Sequence, residues 1–217
     1  MKKLTAFLLC TCLLLCLCAC GGEKLPTDMA GIAAQIDSLQ VADFTTTDKV
    51  TQYVKLTVRD YGELVICLRE DFAPISVSNF QRLVGEGFYN GLTIHRVYPG
   101  FMIQGGSTDG QGYEGSDRMI KGEFSQNGVE NTLSHIRGVV SMARRSNDMN
   151  SGSSQFFIMH ADYTSLDGGY AAFGYVVAGL STVDRICQTE LTYNDGGERS
   201  QPVSPIYIES AEFVALN

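Results

Sequence analysis

The sequence of 217 residues contains no tryptophan, few prolines and only three histidines, and it is poor in positive charge. Its 16 lysines and arginines are outnumbered by 24 aspartates and glutamates, which gives a formal net charge of −8. Because affinity for nucleic acid comes mostly from neutralising phosphates, such an acidic chain predicts no nucleic-acid partner. The histidines (His95, His135 and His160) are too scattered to indicate a metal centre, and we expect no metal and no other cofactor.

Cysteine is scarce outside the N-terminal region. Five of the seven cysteines fall within residues 10–20, so that only Cys67 and Cys187 remain in the rest of the chain. Two cysteines cannot make a disulfide framework or a zinc site with four ligands. A single Cys67–Cys187 bridge remains open, and buried free thiols are the alternative that we favour.

A long apolar run occurs at the N-terminus, where two lysines precede residues 4–19. The run is short for a transmembrane helix and typical of the core of a signal peptide. It ends in Leu-Cys-Ala-Cys at residues 17–20, which resembles a bacterial lipobox and implies that Cys20 is lipidated. We therefore predict a signal peptide over residues 1–19 and an extracytoplasmic protein held on the bacterial cell membrane by lipid; an uncleaved anchor is the alternative.

The next segment is polar and acidic with scattered apolar residues. We predict that residues 20–50 form the lipidated N-terminus and a flexible spacer, with a short helix near residues 29–39. Residues 51–217 are predicted to form one domain, and we expect a monomer.

Short runs of alternating or apolar residues predict eight strands in that domain, at 53–59, 63–69, 92–97, 101–106, 138–142, 155–160, 171–177 and 206–214. Two helical patterns begin at Pro74 and near Ser181. This set predicts an all-β fold, a closed eight-stranded antiparallel barrel capped by two α-helices.

The stretch HRVYPGFMIQGG, at residues 95–106, sets Arg96 and Gln104 on either side of a Pro-Gly turn. Side chains alternate between the faces of a strand, so Met102 shares a face with Gln104 while Ile103 points the other way. The same alternation pairs a glutamine with a large apolar side chain, Gln155 with Phe157, in SSQFFIM. We assign the wholly apolar faces to the barrel interior and expect the mixed faces to line a groove outside it.

Four segments carry a resemblance to a known family: HRVYPGFMIQGG, GVVSMAR at 138–144, SSQFFI at 153–158 and LDGGYAAFG at 166–174. In wording and order they are similar to the cyclophilin-type peptidyl-prolyl cis-trans isomerases, and the match extends over roughly residues 53–214. The resemblance implies the eight-stranded barrel with two capping helices. It also implies catalysis of rotation about X–Pro bonds in proline-containing polypeptides, here exported or surface proteins.

Rotation about an X–Pro bond is slow because amide resonance raises a barrier of about 18–20 kcal/mol. Catalysis needs no proton transfer; the twisted amide must only be bound better than either planar form. The proline nitrogen of the twisted amide regains a lone pair, to which a guanidinium can donate a hydrogen bond. The resemblance gives this role to Arg96.

The resemblance implies the other site residues as well. For the proline ring it implies an apolar pocket made of Phe101, Met102, Phe157 and Leu166. For the remainder of the peptide it implies contacts from Gln104, Ala143, the backbone of Arg144, Gln155 and Tyr170. Within this set, Gln104 would act beside Arg96 by holding the carbonyl side of proline, and Gln155 would orient it.

This sequence departs from the family at two positions near the pocket. Ser165 stands where cyclosporin-binding members have a tryptophan, and Tyr170 replaces a histidine. The first change argues against cyclosporin binding. The alternative function is a proline-peptide binding module or holdase chaperone with incidental turnover, but Arg96 beside Gln104 favours the enzyme.

Overall fold

The computed structural model describes residues 25–217, so the predicted signal peptide and Cys20 lie outside the described residues. The strands are β1 (Phe44–Thr46), β2 (Tyr53–Val58), β3 (Gly62–Leu68), β4 (Thr93–Tyr98), β5 (Met102–Ser107), β6 (Val139–Met142), β7 (Phe156–Met159), β8 (Ala171–Ala178), β9 (Leu191–Tyr193), β10 (Arg199–Pro202) and β11 (Ile206–Leu216). The helices are α1 (Met29–Gln35), α2 (Pro74–Gly85) and α3 (Ser181–Ile186). Within residues 25–217, no helix combines the length and the hydropathy required to cross a bilayer.

Eight of these strands close into an antiparallel barrel. Their order is β11-β2-β3-β8-β6-β7-β5-β4, and β4 pairs again with β11 to complete the circuit. All eight begin and end within two residues of the predicted positions, which confirms the fold class. Strand β1 adds to the outside of β11, and β9 and β10 form a separate hairpin.

Tight turns set the register of the first hairpins. Asp60 and Gly62 adopt positive φ angles of 66° and 110°, and Val58 pairs with Gly62 across the turn between β2 and β3. Between β4 and β5, Gly100 has a φ of 83° after Pro99, and the N–H of Phe101 donates to the carbonyl of Tyr98 at 2.9 Å. This is the geometry of a type II turn, which favours proline followed by glycine.

The barrel interior is apolar, and the two predicted helices cover it. From α2, Val77, Phe80 and Val84 are buried against it, as the helical spacing predicts. From α3, Val183 and Ile186 are likewise fully buried. Cys67 and Cys187 are both free and buried, which excludes a bridge between them.

Residues 25–46 do not form the flexible spacer that the sequence predicted. Helix α1 places Ile32 in a fully buried position, and Leu39 pairs with Ala178 at the end of β8. Strand β1 then pairs with the last residues of β11 through Phe44–Leu216 and its neighbours. The apolar residues scattered through this acidic segment are therefore contacts to the barrel.

We expect Ile32→Ala to lower the free energy of unfolding by about 2–4 kcal/mol, because truncation of a buried side chain leaves a cavity. Ala33→Ser, which changes an exposed residue of the same helix, is the matched control and should have little effect. Urea unfolding of the two variants checks this expectation. Equal stability of Ile32→Ala and the parent would mean that the segment does not pack on the barrel in solution.

Candidate active site

The turn at Pro99-Gly100 brings Arg96 and Gln104 together. In the β4–β5 ladder Arg96 lies directly opposite Gln104, and their side chains meet through Arg96 Nη1 and Gln104 Oε1 at 3.4 Å. Side chains of directly opposed residues project from the same face of a sheet. The spacing of eight residues in the sequence therefore becomes a contact.

The same row continues across the next two strands. Gln104 lies opposite Phe157 of β7, and Phe157 lies opposite Ser141 of β6. Their strand neighbours Ile103 and Ile158 belong to the other face and are buried in the barrel interior. This assignment of faces is the one predicted from strand alternation.

A cavity of about 120 Å³ opens over this row. Its lining consists of Arg96, Phe101, Met102, Gln104, Ala143, Arg144, Phe157, Leu166 and Tyr170. These are nine of the ten pocket residues predicted from the sequence, and the tenth, Gln155, lines an adjacent cleft that shares Gln104, Ala143 and Arg144. The volume is below the range of pockets for drug-sized ligands, so it suits one small ring.

Met102 and Phe157 are more enclosed than a side chain in an open groove would be. Their exposed fractions are 1% and 5%, and they belong to an apolar cluster outside the barrel interior that also receives Ile32. The cavity floor is therefore the outer surface of a second small core. Leu166 and Tyr170, from the connection between β7 and β8, close its side.

The two glutamines are held by a chain of hydrogen bonds. Gln155 Nε2 donates to the carbonyls of Gly112 and Glu114 at 3.0 and 2.9 Å, which fixes the orientation of its amide. Its Oε1 then accepts from Gln104 Nε2 at 2.9 Å, so that Gln104 turns its own Oε1 toward Arg96. The guanidinium thus meets an acceptor rather than a donor.

The other edge of the Arg96 guanidinium is bound by a carboxylate that the sequence did not point to. Nε donates to Glu198 Oε1 at 2.7 Å and Nη2 donates to Glu198 Oε2 at 2.8 Å. A guanidinium carries five N–H donors. Three of these five donors form hydrogen bonds with residues in the described range 25–217, which leaves one N–H on each terminal nitrogen.

Comparison with known proteins gives a family for this geometry. The family model for cyclophilin type peptidyl-prolyl cis-trans isomerase/CLD matches residues 53–213. The chain belongs to this family. It is therefore a peptidyl-prolyl cis-trans isomerase.

Relatives from bacteria and a protozoan agree with this placement. Peptidyl-prolyl cis-trans isomerase A of Dickeya dadantii is 38% identical over 191 residues, which cover 84% of this chain and 96% of that protein. Peptidyl-prolyl cis-trans isomerase B of Bacillus subtilis is 42% identical over 123 residues, covering 57% of this chain and 82% of that protein. A cyclophilin type isomerase of Cryptosporidium parvum, crystallised in the presence of the dipeptide Ala-Pro, is 28% identical with a TM-score of 0.65, covering 75% of this chain and 98% of that chain.

Behind the cavity floor of this cyclophilin lies a buried polar group. His135 stacks on Phe157 with ring centres 5.9 Å apart, and its Nδ1 lies 2.7 Å from Asp167 Oδ1. Its Nε2 lies 3.0 Å from Ser141 Oγ. Ser141 is fully buried, so its hydroxyl cannot attack a substrate; the group instead supports the ring of Phe157 from below.

Arg144 shapes the cavity with its side chain as well as its backbone. Its guanidinium lies 4.7 Å from the centre of the Tyr170 ring, and its Nε donates to the carbonyl of Gly169 at 2.9 Å. Phe101, another residue of the lining, packs against Tyr163 with ring centres 4.7 Å apart. The side chain of Arg144 was assigned no part in the site from the sequence, and here it holds Tyr170 in place.

Glu198, His135, Asp167 and Tyr163 were missed as parts of this region. Asp167 follows Leu166 directly, so the LDG segment was the available signal for it. Nothing in the sequence marks Glu198, which is 102 residues from Arg96 and lies in a polar turn.

The lining of the cavity limits the chemistry that it can perform. Among the described residues, it offers two guanidinium groups (Arg96 in the row and Arg144 against Tyr170), one amide and apolar rings, and it includes no carboxylate, thiol or hydroxyl nucleophile of serine or threonine. Such a site can bind a peptide and stabilise a change in charge distribution. This agrees with a reaction in which a bond rotates and none is broken.

The pKa of His95, the residue before Arg96, is set mainly by burial. Burial lowers this pKa from 6.5 to about 4, while the negative charge of Asp109 opposes the shift. Burial also lowers the pKa of His135, and Asp167 opposes that shift. As the pH falls below about 6.5, the imidazole of His95 binds a proton in the unfolded chain but stays neutral in the folded chain. The free energy of unfolding should therefore fall as the pH is lowered from 6.5 toward 4.

We expect the imidazole of His95 to titrate with a midpoint near 4 in an NMR pH titration of the folded protein. We also expect His95→Gln to flatten the dependence of the unfolding free energy on pH between 6.5 and 4, since the group that binds the extra proton in the unfolded chain is gone. Urea unfolding at several pH values measures the slope. A His95 midpoint near 6.5 would contradict the buried placement of this ring.

Proposed function

We propose that this cyclophilin accelerates X–Pro rotation in exported or surface proteins while it is attached to the bacterial membrane through a lipid on Cys20. The cavity over the Arg96–Gln104–Phe157 row carries the catalytic part of this proposal. The lipobox at residues 17–20 carries the location.

The proline ring would lie in the apolar pocket formed by Phe101, Met102, Phe157 and Leu166. Met102 and Phe157 are nearly excluded from solvent, and Phe157 is backed by His135, so the floor is firm. A ring that displaces water from this surface gains hydrophobic contact in both planar states and in the twisted state. This contact therefore helps to bind the substrate, and the acceleration must come from the polar groups.

Arg96 would supply the acceleration. Within the described part of the chain, its bonds to Glu198 and Gln104 leave one N–H on each terminal nitrogen, and Nη1 lies on the edge that faces Gln104 and the cavity. The lone pair of the proline nitrogen is delocalised in a planar amide and becomes available as the amide twists. A hydrogen bond made to that nitrogen is therefore stronger in the transition state than in either planar form, which is the condition for catalysis.

Gln104 and the residues around it would orient the peptide. The amide of Gln104 is fixed between Arg96 and Gln155, and it would bind the carbonyl side of proline. Ala143 and the backbone of Arg144 lie at the junction of the cavity and the adjacent cleft, where the residue before proline would pass. The crystallisation of the Cryptosporidium neighbour in the presence of Ala-Pro supports the binding of proline peptides here.

We expect Arg96→Ala to reduce kcat/KM for a proline-containing peptide by about 100-fold or more, the usual effect of removing a donor aimed at the transition state. Arg118→Ala, an exposed arginine that is not in the cavity lining, is the matched control. A coupled isomerisation assay with purified full-length protein gives the rates. An Arg96→Ala protein as fast as the parent would remove Arg96 from the mechanism, while retained tight binding without turnover would agree with its catalytic role.

We expect Cys20→Ala to release the protein from the membrane fraction, because the lipid attachment site is lost. Cys18→Ala, two residues earlier, is the control and should leave the protein on the membrane. Fractionation of producing cells with metabolic labelling by a radioactive fatty acid provides the measurement. Membrane association of Cys20→Ala with unchanged labelling would contradict the anchor.

A further inference from the structure

Glu198 lies in a part of the fold outside the eight barrel strands. It follows a tight turn in the hairpin of β9 and β10, and this hairpin lies beside β4. Asn194 closes the turn: its N–H donates to the carbonyl of Glu198 and its Oδ1 accepts from the N–H of Glu198, both at 2.9 Å. The position of the Glu198 backbone is therefore set by the hairpin, independently of Arg96.

Two hydrogen bonds join the side chains of Arg96 and Glu198. Both oxygens of the Glu198 carboxylate bind, one to Nε and one to Nη2 of Arg96, at 2.7 and 2.8 Å. The two side chains are 31% and 32% exposed, so the pair is partly shielded from water. The hydrogen bond from Arg96 lowers the pKa of Glu198, which keeps the carboxylate charged.

Two parallel bonds fix the plane of a guanidinium, which one bond cannot do. With Nε and Nη2 bound to Glu198, the Nη1 edge is directed toward Gln104 and the cavity. An arginine without this partner could rotate about several bonds, and a small displacement of a catalytic group lowers the rate strongly. The arrangement therefore orders the donor before a substrate binds.

We propose that Glu198 is a positioning residue of the isomerase reaction, which holds the Arg96 guanidinium in the plane and at the edge of the cavity where it meets the twisted amide. This proposal rests on the proposed role of Arg96. Glu198 itself does not line the cavity and is not expected to touch the substrate.

A neighbouring anion also has an effect of the opposite sign, because a carboxylate reduces the net positive charge of the arginine and so weakens it as a donor. The two effects predict opposite signs. If orientation dominates, loss of Glu198 slows the enzyme; if charge dominates, its loss speeds the enzyme. The firm placement of Glu198 by the turn argues for orientation.

The test is a double-mutant cycle in the full-length protein. We expect Glu198→Ala to lower kcat/KM about tenfold, as for a modestly misplaced catalytic group, mainly through kcat and with little change in KM. Glu198→Asp should be intermediate, because it keeps the charge on a shorter side chain. In the Arg96→Ala background, Glu198→Ala should change the rate less than about twofold, since the group through which it acts is absent.

Asp195→Asn is the matched control, because it removes a negative charge from an exposed position in the same turn. A further readout is the Nε–H signal of Arg96 in NMR spectra: it should be protected from exchange in the parent and lose protection in Glu198→Gln, a variant that preserves side-chain shape. This signal reports the contact even if Glu198→Ala folds poorly.

Three outcomes would overturn the proposal: an unchanged or higher rate of Glu198→Ala, an equal loss in the parent and Arg96→Ala backgrounds, or a similar loss in Asp195→Asn. A fast Arg96→Ala enzyme is a separate result, which would overturn the proposed catalytic role of Arg96 itself. The four proteins of the cycle, together with the Asp195→Asn control, distinguish these failures.

Discussion

The register between β4 and β5 is the constraint on which the site depends. It is set by a type II turn in which Pro99 supplies the fixed φ and Gly100 the positive φ of 83°. A slip of one residue would turn Arg96 and Gln104 into the barrel and expose their apolar neighbours, because strand side chains alternate. Burial of Ile103 on the interior face therefore stabilises the same register that places Arg96 opposite Gln104. The register between β4 and β5 therefore specifies both the packing of the core and the geometry of the site.

Arg96 ends a line of oriented polar groups. The line begins at two backbone carbonyls in the loop at residues 112–114, passes through Gln155 and Gln104, and reaches the guanidinium, which Glu198 holds from the other side. Each member is fixed by the one before it, so little reorganisation is required when a peptide arrives. The apolar pocket beside the line performs the separate task of holding the ring. Binding and acceleration are thus assigned to different side chains of one row.

The barrel could be predicted from the alternation along single strands, and the lining of the cavity could be predicted from motifs that resemble those of the family and are local in the chain. Met102 and Phe157 were assigned to the outer face in this way, and both lie there. Two features could not be predicted. Glu198 pairs with Arg96 across 102 residues, and a carboxylate in a polar turn looks like any solvated charge. Residues 25–46 are acidic enough to look like a spacer, although a few apolar side chains such as Ile32 suffice to attach them to the barrel.

The attachment of residues 25–46 bears on how far the enzyme could work from a membrane. A spacer of some thirty residues would let the barrel explore a wide volume, whereas the chain is already fixed to the barrel at Leu25. If Cys20 carries the lipid, five residue steps separate the anchor from the folded body, a maximal span of roughly 18 Å at full extension. That reach is shorter than the hydrocarbon thickness of a bilayer, about 30 Å. The enzyme would then bind its substrate proteins only close to the membrane surface, as these proteins leave the membrane or move along it.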